Sequence, residues 1–152
     1  MIQRIQSIWL LLASLTLVML LVLPIITKTY EGKELWMLAT GLYQKADKGT
    51  LKVTSYLPLA AATVLIALAA LFNIFLFRNR QLQKQICNVV IILTVMLSVW
   101  MVVVAQQIPG GLNNYQLNVG AFMPLLSILF CFLATRGIQN DERLIRSADR
   151  LR

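Results

Sequence analysis

Residues 85–135 read QICNVVIILTVMLSVWMVVVAQQIPGGLNNYQLNVGAFMPLLSILFCFLAT, a run that contains no Asp, Glu, Lys, Arg or His. A bilayer core about 30 Å thick is crossed by roughly 20 apolar helical residues. The run is too long for one crossing, and a Pro-Gly-Gly and an Asn-Asn pair interrupt it within residues 109–114. It therefore predicts two membrane-spanning helices, at about 86–107 and 117–135, joined by a turn.

Two further apolar stretches precede this run, each bounded by Lys or Arg. They are IWLLLASLTLVMLLVLPII at about 8–26 and LPLAAATVLIALAALFNIFLF at about 57–77. Over its 152 residues the chain is 59% hydrophobic and 13% charged, whereas a soluble domain is roughly 45 to 50% apolar and about 25% charged. The sequence thus predicts an all-α membrane protein, a single four-span domain over 1–152 that forms a four-transmembrane-helix bundle.

The segment between the first two predicted spans, residues 27–56, is too long to be a simple connector. Residues 50–54, TLKVT, alternate like a half-exposed strand, and GLYQ at 41–44 is a plausible partner strand. We therefore allow for a small extracytoplasmic β-hairpin beside the helices.

The distribution of basic residues predicts the orientation. Of the fourteen Lys and Arg, nine fall on the side of the two termini and five in residues 27–56. The nine are Arg4, Arg78, Arg80, Lys84, Arg136, Arg143, Arg146, Arg150 and Arg152, and the five are Lys28, Lys33, Lys45, Lys48 and Lys52. Because Lys and Arg are retained on the cytoplasmic side, both termini are expected in the cytoplasm, with residues 136–152 as a cytoplasmic tail.

The tail is predicted to form a short separate helix over 141–151. Asn140 is a suitable N-cap, and Asp141 and Glu142 suit the first helical turn. On that helix Leu144 and Leu151 share one stripe, and the tail arginines lie roughly opposite.

Two interpretations of this basic surface stay open. The arginines can rest on anionic headgroups, or the helix can dock on an unknown protein partner or a second copy of the chain; nucleic acid is not expected. The candidate partner-binding or lipid-binding residues are Arg78, Arg80, Lys84, Arg143, Leu144, Arg146, Arg150 and Leu151.

Small residues at helical spacing predict how the helices pack in lipid, where close approach and a few polar contacts replace the hydrophobic effect. The candidate packing residues are Ala60, Thr63, Ala67, Ala70, Gly120, Pro124 and Ser127. Pro124 is expected inside the fourth helix, where it would cause a kink. The other polar side chains at membrane depth, Asn73, Asn88, Thr94 and Ser98, are expected to form hydrogen bonds between helices.

The residue types argue against an enzyme and against a metal or cofactor site. The chain has no His and two Cys, so most metal sites and His-assisted catalysis lack their ligands or bases. The predicted spans also lack the charged groups that proton and ion pathways use. The first hypothesis is a non-enzymatic scaffold or accessory subunit. The alternative is a small oligomeric transporter or channel component that uses Gly120, Pro124 and the polar groups of the spans.

Three segments together resemble a known family: MIQRIQSIWLLLA at 1–13, LFRNRQLQKQIC at 76–87 and RGIQNDERLIRSADRLR at 136–152. They are similar to small four-span inner-membrane proteins of Bacteroidota that are grouped only as a domain of unknown function. The resemblance implies a bacterial inner (cytoplasmic) membrane, and it implies no substrate, cofactor or catalytic residue.

Overall fold

The computed structural model describes residues 3–30, 32–46, 49–76, 79–108 and 115–149, and these residues form four α-helices and five strands. The elements are α1 (Gln3–Met19), β1 (Ile26–Tyr30), β2 (Lys33–Leu38), β3 (Gly41–Ala46), β4 (Gly49–Ser55), α2 (Leu57–Asn73), α3 (Arg80–Gln106), β5 (Tyr115–Leu117) and α4 (Met123–Asp149). Short 3₁₀ turns follow α2 at Ile74–Leu76 and precede α4 at Val119–Phe122.

The four helices pack in a ring. Each helix contacts the next one in sequence, and α4 packs most extensively against α1. We call the end of the ring where α1 begins and α4 ends the basic end, and the opposite end the sheet end. Many Leu, Val, Ile and Phe side chains of α2, α3 and α4 are exposed on the outside of the ring, as expected of helices that face lipid.

The prediction of an all-α bundle is wrong, because a five-stranded antiparallel sheet covers the sheet end. Its strand order is β4-β3-β2-β1-β5. The allowed hairpin is present as β3 and β4, with Leu51 opposite Gln44. It is only part of a larger sheet, to which the connection between α3 and α4 contributes β5.

The sheet packs on the helices through one face of its central strands. Ile26, Leu35, Met37 and Leu42 lie on that face and are buried. Every residue of β4 is exposed, so this edge strand adds no buried residue to the packing of the sheet on the helices. The described residues therefore form four packed helices with a five-stranded antiparallel sheet at one end.

The first apolar stretch shows why the sheet was missed. The helix ends at Met19, and the tight turns that follow include a hydrogen bond from the Leu23 N–H to the Met19 carbonyl oxygen at 2.8 Å. Pro24 disfavours a helical conformation for the residue before it. Ile26 then pairs with Met37 and Leu117, so the end of the apolar run is a strand in the sheet.

Two predictions about α4 are also wrong. Pro124 lies in the first turn of α4, where its missing N–H leaves no helical hydrogen bond unmade, and not within the helix. No separate tail helix begins at Asn140, because α4 runs continuously from Met123 to Asp149. Asn140 and Asp141 are interior positions of that helix, so neither caps an N-terminus.

Three of the described helical segments are long and apolar enough to cross a membrane: Leu57–Leu76, Arg80–Gln106 and Val119–Asp141. The first helix contributes a shorter apolar segment, Ile5–Met19. Length and composition are thus compatible with a membrane location.

Candidate functional site at the basic end

The basic end brings together the start of α1, the corner between α2 and α3, and the last turns of α4. The basic residues whose side chains are described at this end are Arg80 and Lys84 at the start of α3 and Arg136 on α4. Arg136 is exposed, and the two α3 side chains are half-buried. The predicted residues Arg78, Arg150 and Leu151 lie outside the described residues. Arg143, Leu144 and Arg146 are placed by the helical backbone of α4, and their side chains lie outside the description.

A buried polar pair joins α1 to the far end of α4. The Gln6 side-chain amide donates a hydrogen bond to the Asp141 carboxylate, and both residues are less than a tenth exposed. Gly137 makes room for this contact, because a Cβ there would lie 3.2 Å from the Gln6 Cγ. A hydrogen bond to a charged group is stronger than one between neutral groups. The pair therefore holds the polar C-terminal part of α4 against α1.

A second buried polar cluster shapes the corner between α2 and α3. The Asn73 Nδ2 donates to the Gln83 carbonyl oxygen and to the Cys87 Sγ, at 3.1 Å each. The Gln83 Nε2 donates back to the Asn73 carbonyl oxygen at 3.3 Å. Asn79 caps α3, since its Oδ1 accepts from the Leu82 N–H at 3.3 Å. These bonds fix the corner from which α3 starts, and Arg80 and Lys84 lie in the first turns of that helix.

Polar side chains of α4 line a cavity of about 270 Å³ beside these basic residues. Its lining consists of Phe132, Thr135, Arg136, Gln139 and Asn140. The Thr135 hydroxyl also lies beside the Cys87 thiol of α3, so the cavity borders the helix that carries Lys84. A guanidinium beside side-chain amide donors can bind a phosphate or a carboxylate.

The chain matches the model of one protein family. The family is described as "Domain of unknown function (DUF4293)", and the match covers residues 2–151. The chain belongs to this family. None of the curated proteins compared with the chain matches it. Membership in the DUF4293 family therefore confirms the predicted resemblance to a domain of unknown function, and it assigns no activity.

The predicted packing residues of this DUF4293 protein differ in burial and in what they contact. Thr63, Ala67 and Ala70 are buried on α2, and Ala60 on the same helix is only half-buried. Ser127 is buried on α4 and donates to the Ala13 carbonyl oxygen of α1 at 3.3 Å.

Gly120 and Pro124 both lie near the sheet end, where Pro124 is buried in the first turn of α4 and Gly120 precedes that helix. The Gly120 N–H donates to the Pro24 carbonyl oxygen at 3.1 Å, and a Cβ on Gly120 would lie 2.5 Å from that oxygen. Gly120 is thus a point of close contact between the chain leaving α1 and the chain entering α4.

The polar side chains of the predicted spans differ in their hydrogen-bond partners. Asn73 bonds across to α3, as expected. The Thr94 and Ser98 hydroxyls donate to the carbonyl oxygens four residues earlier in their own helix, at 2.7 and 2.8 Å, and not to a neighbouring helix. Asn88 is exposed. These hydroxyls therefore contribute no hydrogen bond between helices.

Sequence reasoning missed Gln6, Gln83 and the role of Asp141, although a signal for them exists. Gln6 precedes the buried residues Leu10, Ala13 and Leu17 at helical spacing, and Gln83 precedes Cys87, Val90 and Thr94 in the same way. Extending each buried stripe by one turn would have placed both glutamines in the interior.

Proposed function

We propose that this DUF4293 protein is a non-enzymatic scaffold or accessory subunit of the bacterial inner membrane. Its basic end would face the cytoplasm and bind a partner. The proposal follows from the excess of Lys and Arg at that end, which is the cytoplasmic bias of multi-pass proteins. The expected partner surface is acidic, and anionic headgroups would contact the same residues at the level of the membrane.

The observation that carries the proposal is the continuity of α4. Residues 136–149 extend the apolar part of the helix without a break, and at 1.5 Å per residue they add about 20 Å. The Gln6–Asp141 hydrogen bond holds the first turns of this extension to α1. A rigid extension loses little conformational entropy when a partner binds, so it favours docking more than a flexible tail would.

Two features of the helices favour the scaffold over the alternative of a transporter. Pro124 does not interrupt a helix, so it creates no unwound segment of the kind that transporters use. The Thr94 and Ser98 hydroxyls are engaged within α3. Replacing Gly120 by a large residue would not test transport, because the side chain would collide with the Pro24 carbonyl oxygen.

Site-specific photocrosslinking in cells tests the proposal. A photoreactive amino acid at Gln139, which is exposed on α4, is expected to give discrete adducts with a partner protein. Reversing the charges at Arg136, Arg143 and Arg146 to Glu should remove those adducts. Reversing Lys45 and Lys52 in the sheet is the matched control and should leave them unchanged. Adducts that survive reversal at the basic end would count against the proposal, as would the absence of any adduct.

A truncation complements the crosslinking, and the structure fixes where to cut. Ile138 and Asp141 are buried, so a chain that stops after residue 137 would lose packing as well as charge. A chain that stops after residue 142 keeps both residues. It is expected to insert and accumulate normally while losing the adducts at Gln139.

A further inference from the structure

An apolar cavity of about 190 Å³ lies at the sheet end, between α3 and α4. Met101 and Val102 of α3 form one wall, and Ala121 and Pro124 form another. The paired strands β1 and β5 close its end, where Ile26 lies opposite Leu117. This sheet-end cavity is separate from the basic end and plays no part in the function proposed above.

The walls of the sheet-end cavity suit a hydrocarbon and not a polar ligand. Among the described lining residues the polar side chains are Ser98 and Tyr115. The Ser98 hydroxyl already donates to the Thr94 carbonyl oxygen at 2.8 Å. Pro124 has no N–H to offer. A polar molecule would lose hydrogen bonds to water on entering and regain few of them.

The cavity lies where a lipid chain could enter it from the bilayer. Val102 and Leu117 line it and are 54% and 55% exposed on the outside of the molecule. The α3 part of the wall runs from Ser98 to Ala105, about 10 Å along the helix axis. That depth is about two thirds of one leaflet, whose hydrocarbon half is about 15 Å thick.

A buried cation lies at the sheet side of the cavity. Lys28 is two residues beyond Ile26, on the same face of β1, and pairs directly with the cavity residue Tyr115. It is only 7% exposed, and its ammonium lies 5.9 Å from the centre of the Tyr30 ring. The sheet therefore places a positive charge and a phenol next to the end of an apolar cavity.

We propose that the sheet-end cavity binds a phospholipid, with one acyl chain between α3 and α4 and the phosphate at Lys28 and Tyr115. Burial of the chain supplies the apolar part of the affinity, and the ammonium attracts the phosphate. The proposal requires the helices to be embedded in a bilayer and is independent of any partner at the basic end.

Photoactivatable lipids test the proposal with the full-length protein in phosphatidylcholine vesicles. The probe is phosphatidylglycerol with a diazirine in its acyl chain, and the control is a diacylglycerol with the same chains and no phosphate. Labelling is measured at Met101, which is only 5% exposed, and at Val99, which is 60% exposed on the same helix. The probe should label Met101 about fivefold more than the control lipid does, the factor that about 1 kcal/mol of lysine–phosphate attraction gives. Both lipids should label Val99 equally.

Three variants separate the charge from the cavity. Lys28→Gln should remove the preference for the probe at Met101, and Lys28→Arg should keep it. Ala121→Leu should reduce labelling of Met101 by both lipids, because the larger side chain occupies the cavity. Unchanged labelling of Val99 reports that α3 of each variant is still inserted in the bilayer. Equal labelling of Met101 by the two lipids would overturn the proposal. So would labelling confined to Val99, or a probe preference that persists in Lys28→Gln.

Discussion

At the scale of single residues, two glycines illustrate how differently the same residue type can be constrained. A Cβ on Gly120 would meet backbone atoms, with the Pro24 carbonyl oxygen at 2.5 Å and the Leu23 carbonyl oxygen at 2.8 Å. A Cβ on Gly137 would meet the flexible Gln6 side chain at 3.2 Å. Backbone cannot yield without disturbing two elements, whereas a glutamine side chain can shift by a few tenths of an ångström.

Gly120→Ala is therefore expected to destabilise the protein by about 1–3 kcal/mol, the usual cost of overpacking. Gly137→Ala is the matched control and should be near neutral, because the gain in helix propensity, up to about 1 kcal/mol, offsets the displacement of Gln6. Thermal unfolding of the detergent-solubilised proteins, followed by size-exclusion chromatography, compares the two. Equal midpoints would contradict the close contact between Gly120 and residues 23–24.

The Gln6–Asp141 pair gives a second prediction at this scale. Asp141→Ala leaves the buried Gln6 amide without its acceptor, which should cost about 1–3 kcal/mol. Adding Gln6→Ala should cost clearly less than the sum of the two single changes, because the same contact is lost in each. Unfolding midpoints of the two single variants and the double variant form the cycle, and strictly additive shifts would show that the side chains do not interact.

At the scale of elements, the apolar runs revealed where the helices are but not where the first one ends. The run at 8–26 has the composition of a span throughout, yet its last residue pairs with β2 and β5. Hydrophobic composition indicates that a segment avoids water. It does not distinguish a helix in lipid from a strand that packs on the helices. The sequence did not predict β5, because a strand of three residues is too short to show a pattern of its own. It is a strand because it pairs with β1.

We expect the strands of the sheet to contribute unequally to the free energy of unfolding. Met37 on β2 is fully buried against the bundle, whereas Leu51 on β4 is 61% exposed. Met37→Ala is expected to cost about 2–5 kcal/mol through the cavity it leaves, and Leu51→Ala within about 0.5 kcal/mol. Chemical unfolding of the two variants checks this difference. A comparable loss from Leu51→Ala would indicate that something covers β4 in the intact protein.

At the scale of the whole molecule, the two ends differ in chemistry as well as in structure. The sheet end is made of short antiparallel strands and holds Lys28, Lys33, Lys45 and Lys52 among its described residues. The basic end is made of helix termini joined by buried polar side chains. The number of helices and the charge imbalance could be predicted from the sequence. The polar contacts at the basic end could not, because Gln6 and Asp141 are 135 positions apart and only the fold brings them together.

This asymmetry makes the orientation in the membrane directly measurable. Thr29→Cys places a thiol on the exposed side of β1, and Gln139→Cys places one on the exposed side of α4. The two native cysteines are buried and give little background. With a membrane-impermeant maleimide on intact spheroplasts, the thiol at position 29 should be labelled at once. The thiol at position 139 should react only after the membrane is permeabilised, because the cation excess is retained inside. The reverse pattern would place the sheet in the cytoplasm and remove the basis for a cytoplasmic partner at the basic end. It would leave the sheet-end cavity in contact with the inner leaflet.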